Sequence, residues 1–423
     1  MTTIDHHVQG FFSSIYSEAR NKFWRGASFA AQTRDGTHTF VKEEKGIQAA
    51  ALMPKNSAHN DVLYLTVSGV HGVEGYYGAA VQQMLWEKLS SQIPPNAGLI
   101  QIFGLNREGM EQYRRTWLHN IDLNRAAIFN AADFVRDPLS KAIFEYFKDF
   151  LTPSKPYNLS QESNNFGLKL LLKALPLLVT GIKIDDHGRN RPTAKQIVNG
   201  IASGQYEHEA SIFYGGNLAT MCAGNTTIPE IIQEYAAFLR KYASSFRSLV
   251  IADYHSGYGR YGRDSYLSCM REGEETFIRM NKALNGRLKS EHPSLKGRKT
   301  TTYTSPGSVE AYTHKLFASE GIAVASVTLD SGCVKPDGWI DTIADLCDSD
   351  TLKRVAAEVN LLKLLRKENQ IYRHNTNDDG LISTVQREMY ESFCPRDLRW
   401  RSDVIRQSEQ SMSSIIHEFS RQY

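Results

Sequence analysis

Thr66-Val67-Ser68-Gly69-Val70-His71-Gly72-Val73-Glu74-Gly75 is the stretch on which the fold of this chain turns. A run of apolar and β-branched residues from Val62 ends abruptly in small residues, and an imidazole and a carboxylate follow three positions apart. Such a run, without helical spacing, reads as a buried strand. A His–Glu pair at the mouth of a strand can grip one metal ion from a single loop. Imidazole nitrogen with carboxylate oxygen suits zinc, and a catalytic zinc takes three protein ligands and keeps a position for water. One more ligand is therefore expected elsewhere in the chain.

Outward from this stretch, residues 78–89 carry apolar side chains on one helical face (Val81, Met84, Leu85, Leu89), with Glu87 and Lys88 off it. Pro94, Pro95, Asn96 and Gly98 then break the chain, and residues 99–103 form a second short apolar strand. Strand, helix and strand in succession predict an α/β fold: a mixed, largely parallel sheet flanked by helices. Further strands are expected at 248–254 and 322–329, and helices at 231–242, 352–367, 381–393 and 403–419. Residues 130–210 lack clear alternation and are rich in Asn, Pro, Ser and Lys, which reads as an insertion or lid over the sheet. We expect one catalytic domain over residues 1–374, with a helical tail, 375–423, packed on the same domain.

Composition sets bounds on function. Hydrophobic residues at 41% and charged residues at 22% are ordinary for a globular protein. A formal net charge of +3 over 423 residues points to neither a nucleic-acid nor a membrane partner. Five scattered cysteines suggest no disulfide framework and favour a reducing compartment. The start lacks the basic and apolar regions of a secretory signal, so the expected location is the cytoplasm. The greasiest stretch, 168–179, is interrupted by Lys169, Lys173 and Pro176 and is too short to span a bilayer. Nothing bears on oligomeric state.

Of thirteen histidines, His255 is best placed to be the third ligand. It ends the apolar run Leu249-Val250-Ile251-Ala252 and precedes Ser256-Gly257, and ligands at strand ends of an open α/β sheet converge on one crevice. Asp253, two residues earlier, is placed to orient the ring. Arginines cluster at Arg114-Arg115 and in Asp122-Leu123-Asn124-Arg125. Near a metal, one guanidinium can hold a developing oxyanion and another can clamp a substrate carboxylate.

His-x-x-Glu, Tyr113-Arg114-Arg115, Asn124-Arg125, Gly204-Gln205-Tyr206-Glu207-His208, Asp253-Tyr254-His255-Ser256-Gly257 and Trp400-Arg401 follow one another in that order. In this order they resemble the zinc carboxypeptidase superfamily. Within it, the chain is similar to a bacterial carboxypeptidase-like branch that also resembles the succinylglutamate desuccinylase and aspartoacylase group. The resemblance implies Zn2+ held by His71, Glu74 and His255. It implies Arg115 as the oxyanion arginine, and Asn124 and Arg125 as the pair that binds a substrate carboxylate, with Arg114 and Tyr206 bordering the pocket. It places the general base in Val327-Thr328-Leu329-Asp330-Ser331-Gly332, at Asp330 where the family carries Glu. That substitution draws the carboxylate back by one carbon–carbon bond, about 1.5 Å. Trp117 and Ala126 also depart from the family pattern, and bear on pocket shape.

The implied function is a zinc-dependent hydrolase cleaving an amide bond next to a free carboxylate, on a peptide or an N-acyl amino acid. An N-acyl-amino-acid deacylase is the alternative within enzymes. Because of Asp330, a zinc-retaining peptide-binding protein without catalysis is the alternative outside them. One rival motif, Gly257-Tyr258-Gly259-Arg260-Tyr261-Gly262, fits a dinucleotide fingerprint, which requires a helix opening at its third glycine. The following Arg263-Asp264-Ser265-Tyr266-Leu267 reads as turn and strand instead.

Overall fold

The computed structural model describes residues 3–55, 60–118, 121–127, 228–257, 261–291, 307–333, 367–368, 371 and 379–421, with side chains described from residue 7 onward and not at Arg125. Among these residues lies an eight-stranded sheet made of β1 (His38–Glu43), β2 (Gln48–Pro54), β3 (Val62–Ser68), β4 (Gly98–Phe103), β5 (Ser248–Ser256), β6 (Asp264–Ser268), β7 (Leu288–Ser290) and β8 (Ala323–Ser331). The strands lie in the order β1-β2-β4-β3-β5-β8-β6-β7. The four central strands, β4-β3-β5-β8, run parallel. β1, β2 and β4 pair antiparallel on one side, and β6 pairs antiparallel to β8 on the other. The sheet is thus mixed, with a parallel centre.

All seven residues of β3 are buried, which explains why it reads as a continuous apolar run. Side chains alternate between two layers. Leu63, Leu65 and Val67 pack with Leu249 and Ile251 beneath α6 (Glu230–Ala243) and α8 (Val309–Ser319), through Ile232, Leu239 and Leu316. Val62 and Tyr64 pack with Val250, Ala252 and Tyr254 in the opposite layer. That layer includes Phe23 of α2 (Tyr16–Arg34), Val81 of α3 (Gly75–Met84) and Val404 of α10 (Leu398–Ser420). Each such side chain, fully buried, contributes roughly 1.5–3 kcal/mol of hydrophobic stabilisation, so the doubly covered centre dominates the fold.

The strands expected at 62–68, 99–103, 248–254 and 322–329 appear as β3, β4, β5 and β8, the last two running two residues further. The helix expected at 78–89 begins earlier, at Gly75, directly out of the His-x-x-Glu turn, and residues Leu85–Leu89 widen into a single π turn. The helices expected at 231–242 and 381–393 are α6 and α9 (Asp379–Phe393). The one expected at 403–419 is α10, which starts at Leu398 because Asp397 accepts the Trp400 N–H at 2.9 Å, an N-cap. α1 (Thr3–Phe11), α7 (Glu275–Ala283) and the short α4 (Arg107–Glu111) and α5 (Leu123–Ala126) complete the described helices. The insertion at 130–210, and all but the last residue of the helix expected at 352–367, lie outside the described residues. Among the described residues, no helix is long and apolar enough to cross a membrane. After Gly262 comes β6 rather than a helix, so the glycine motif has no dinucleotide-binding context.

Candidate metal centre

The chain turns sharply at the carboxyl end of β3, and glycines make the turn feasible. Gly69 has φ +69°, and a Cβ there would lie 2.8 Å from the Cα of Gly104. A Cβ on Gly72 would lie 2.2 Å from the carbonyl carbon of Gly109. Two backbone segments therefore touch where a side chain has no room. They are stitched together by hydrogen bonds: Asn106 N–H to Gly69 O (2.7 Å), Val73 N–H to Arg114 O (2.8 Å) and Gly72 N–H to Arg115 O (3.1 Å). Glu74 then occupies the N-cap position of α3, its carboxylate turned to the histidines rather than to the helix N–H groups, so His71 and Glu74 stand together at the helix entrance.

His255 comes from β5, the strand beside β3. It meets the other two: the ligand atoms of His71, Glu74 and His255 all lie within 4.8 Å of one another, and all three residues are buried. Nδ1 of His71 is 2.8 Å from Glu74 Oε1, and Nδ1 of His255 is 2.9 Å from Glu74 Oε2. Each ring's far nitrogen is engaged as well. Nε2 of His71 meets Asp122 Oδ1 at 3.0 Å, and Nε2 of His255 meets Asp253 Oδ2 at 3.1 Å. A carboxylate behind each imidazole engages Nε2 and aims Nδ1 at the centre, where a bound metal would take the place of the Nδ1–H that otherwise meets Glu74. Two nitrogens and a carboxylate oxygen converging in this way fit a divalent metal, and among the described residues no other His/Cys/Asp/Glu group does so.

The electrostatics follow from the geometry. Burial opposes the Glu74 carboxylate, yet the His71 charge and hydrogen bonds from both histidines outweigh it and hold the carboxyl well below its usual range. Burial also opposes a charged His255. The Asp253 carboxylate and its hydrogen bond, aided by Glu74, outweigh that penalty and raise this imidazole well above its ordinary value.

Asp330 stands on β8 in register with His255 of β5. In-register residues of parallel neighbours share a face and lie about 4.8 Å apart, so its carboxyl borders the same crevice. Arg115 is buried, and its Nη1 donates to Asp122 Oδ2. Asp122 thus ties the arginine to the imidazole of His71. Asn124 accepts the Val309 N–H through Oδ1 at 3.1 Å, and its own N–H donates to Asp122 Oδ1 at 2.9 Å. Arg125 belongs to α5, though its side chain lies outside the description. Arg114 is buried, with Nε 3.3 Å from Glu368 and Nη2 3.1 Å from Thr116 Oγ1. Tyr206 lies outside the described residues.

Two members of the arrangement were not assigned roles from sequence. Asp122 sits inside a recognised motif but 51 residues from His71. Glu368 has no local signature and reaches Arg114 across 254 residues. Trp400-Arg401, by contrast, is structural. Trp400 Nε1 donates to Gly332 O at 2.9 Å, and Arg401 binds Pro395 O, Gln9 and Tyr390.

No curated protein matches this sequence. Several solved structures align with it, among them these two. The succinylglutamate desuccinylase of Chromobacterium violaceum is 13% identical, the match covering 80% of this chain and 72% of that one, with a TM-score of 0.33. A candidate metallopeptidase from Shewanella amazonensis is 10% identical, covering 83% of this chain and 91% of that one, with a TM-score of 0.34. Residues 12–407 match the family described as protein of unknown function (DUF2817), and the chain belongs to that family.

Proposed function

We propose that this protein is a zinc-dependent hydrolase that cleaves an amide bond next to a free carboxylate. The observation that carries the reading is the convergence of three ligand atoms within 4.8 Å, each imidazole backed by a carboxylate. Zinc bound to His71, Glu74 and His255 would supply a Lewis acid for the scissile carbonyl and lower the pKa of a bound water toward ~7.

The remaining steps belong to the chain's own residues. Asp330, beside His255, takes the proton of the attacking water and delivers it to the leaving amine. The position of Asp330, in register with a ligand on the neighbouring strand, supports this role. Arg115, its guanidinium anchored on Asp122, donates to the oxyanion as it develops. Asn124 has its Oδ1 committed to Val309, so it meets a substrate carboxylate through its Nδ2 donors, next to Arg125. The substrate is a peptide C-terminus, an isopeptide-type link or an N-acyl amino acid.

The test combines metal analysis with an assay on a panel of acidic peptides and N-acyl amino acids. Wild-type protein is expected to hold one zinc and His71→Ala to lose it; stoichiometric zinc in His71→Ala would sink the ligand set. Under this reading Asp330→Ala abolishes turnover. If neither Asp330→Ala nor Asp330→Glu alters turnover, the protein is a binder that retains zinc. Preference for short N-acyl amino acids over peptides would make it a deacylase.

A further inference from the structure

Glu368 is a buried carboxylate, 4% exposed, brought in from a late part of the chain. Its Oε1 accepts two hydrogen bonds: from the backbone N–H of Arg115 at 3.2 Å and from Nε of Arg114 at 3.3 Å. The carbonyls of these same two residues accept from Val73 at 2.8 Å and Gly72 at 3.1 Å, the two positions between His71 and Glu74. The Arg114–Arg115 peptide is therefore a strap, with the metal-binding turn on one side and Glu368 on the other. At its far end the Arg115 guanidinium meets Asp122, which in turn holds Nε2 of His71.

The strap is set under strain. Tyr113, just before it, has φ +56°, a left-handed conformation that costs a residue other than glycine on the order of 1 kcal/mol or more. Its ring stacks on Tyr76 at 5.3 Å and 14°, and meets the edge of Tyr390. Lys367, the residue before Glu368, forms an ion pair with Glu388 of α9. Glu368, far along the chain, thus hydrogen-bonds the two residues that follow this left-handed position.

We propose that Glu368 is a positioning residue of the metal centre. It holds the Arg114–Arg115 peptide against the His71–Glu74 turn, and so sets where the Arg115 guanidinium stands relative to the metal ligands. This rests on the hydrolase reading above and extends it to a residue that does not itself touch metal or substrate.

Glu368→Gln keeps size and one acceptor while removing the charge, and Glu368→Asp keeps the charge on a shorter arm. Both are compared with wild type by zinc affinity in competition with a chromophoric chelator, the visible spectrum of the cobalt(II)-substituted protein, kcat and KM on the best substrate of the panel, and thermal melting. We expect Glu368→Gln to melt cooperatively, to bind zinc roughly 10-fold more weakly and to lose about 10- to 100-fold in kcat with KM within about twofold, as for other groups that orient ligands. The cobalt spectrum should shift, and Glu368→Asp should recover part of both losses. Wild-type zinc affinity, cobalt spectrum and kcat in Glu368→Gln would overturn the proposal. So would a gain in kcat or a fall in KM, which would mean that Glu368 blocks Arg114 from substrate. If Glu368→Gln does not fold, Glu368→Asp with wild-type values overturns it equally. Wild-type protein without zinc affinity would instead bring down the hydrolase reading itself, whereas a zinc-binding wild type with an unaltered Glu368→Gln brings down only this one.

Discussion

At the scale of single residues, His255 sets the terms of metal binding. Its two ring nitrogens face Asp253 and Glu74, and that carboxylate environment keeps the ring protonated well above its ordinary pKa. A metal at Nδ1 must expel that proton. Zinc titration at pH 7 is thus expected to release about one proton from this ring, read by calorimetry in two buffers of different ionisation enthalpy. Asp253→Asn should reduce the release and weaken zinc roughly 10- to 100-fold; unchanged release would refute the assignment. Without metal, the two groups act on stability in opposite senses. Glu74, held low, stabilises the fold above its unfolded value of 4.5, and that contribution is lost as pH falls. His255, held high, stabilises below its unfolded value of 6.5, and its share is lost as pH rises through the folded value. His71 and Glu74 were legible because their relation is local, three residues on one turn. Asp122 could be located but given no role, because its bond to His71 is made only by folding.

At the scale of elements, the readable ones were those whose burial shows as an uninterrupted apolar run, such as β3 and β5. β2 was missed because Gln48-Ala49-Ala50-Ala51-Leu52 has the local preference of a helix; it is a strand because β1 and β4 hold it on both sides. β7 has only three residues, too short for periodicity to register. Contact between elements also sets the geometry of the centre. Gly72→Ala drives a Cβ into the Gly109 backbone, where no side chain can give way. It is expected to destabilise by about 1–3 kcal/mol in denaturant melts and to weaken zinc as the turn lifts. In the opposite layer, α10 is pinned to the segment after Asp330 by Trp400, whose ring is fully buried and whose Nε1 binds Gly332 O. Trp400→Phe should cost about 1 kcal/mol through the lost hydrogen bond, and Trp400→Ala roughly 3–5 kcal/mol through the cavity. Equal costs for the two, measured by urea unfolding, would show that the hydrogen bond and not packing holds α10.

At the scale of the whole molecule, the sheet carries its metal centre on one side and a layer of hydroxyls on the other, between the strands and α10. Ser331, the residue after Asp330, donates to Asp264, and its oxygen shares a second hydrogen bond with the Tyr77 hydroxyl. Tyr77 pairs with Ser408, and Tyr266 pairs with Ser411, both serines on α10. Within this layer Asp264 is partly buried. Desolvation pushes its carboxyl up to about 7, against the opposing pull of Ser331, Arg287 and Tyr266. The sign follows from proton binding. Between about pH 4 and pH 7 the folded protein holds a proton on Asp264 that the unfolded chain has released, so this group's contribution to stability falls as pH rises through that window. A shift of about three units sets a ceiling of roughly 4 kcal/mol, and water reaching the carboxyl lowers it. Asp264→Asn mimics the protonated group at every pH. The difference in unfolding free energy between Asp264→Asn and wild type should therefore grow by about 1–2 kcal/mol from pH 4.5 to pH 7.5, in favour of the variant. Taking the difference cancels Glu74 and His255, which titrate alike in both proteins. A difference that stays flat with pH would mean that Asp264 is ionised in the folded state across the range. The hydroxyl layer would then be a set of hydrogen bonds to a carboxylate, binding α10 to the strand of Asp330 without any dependence on pH.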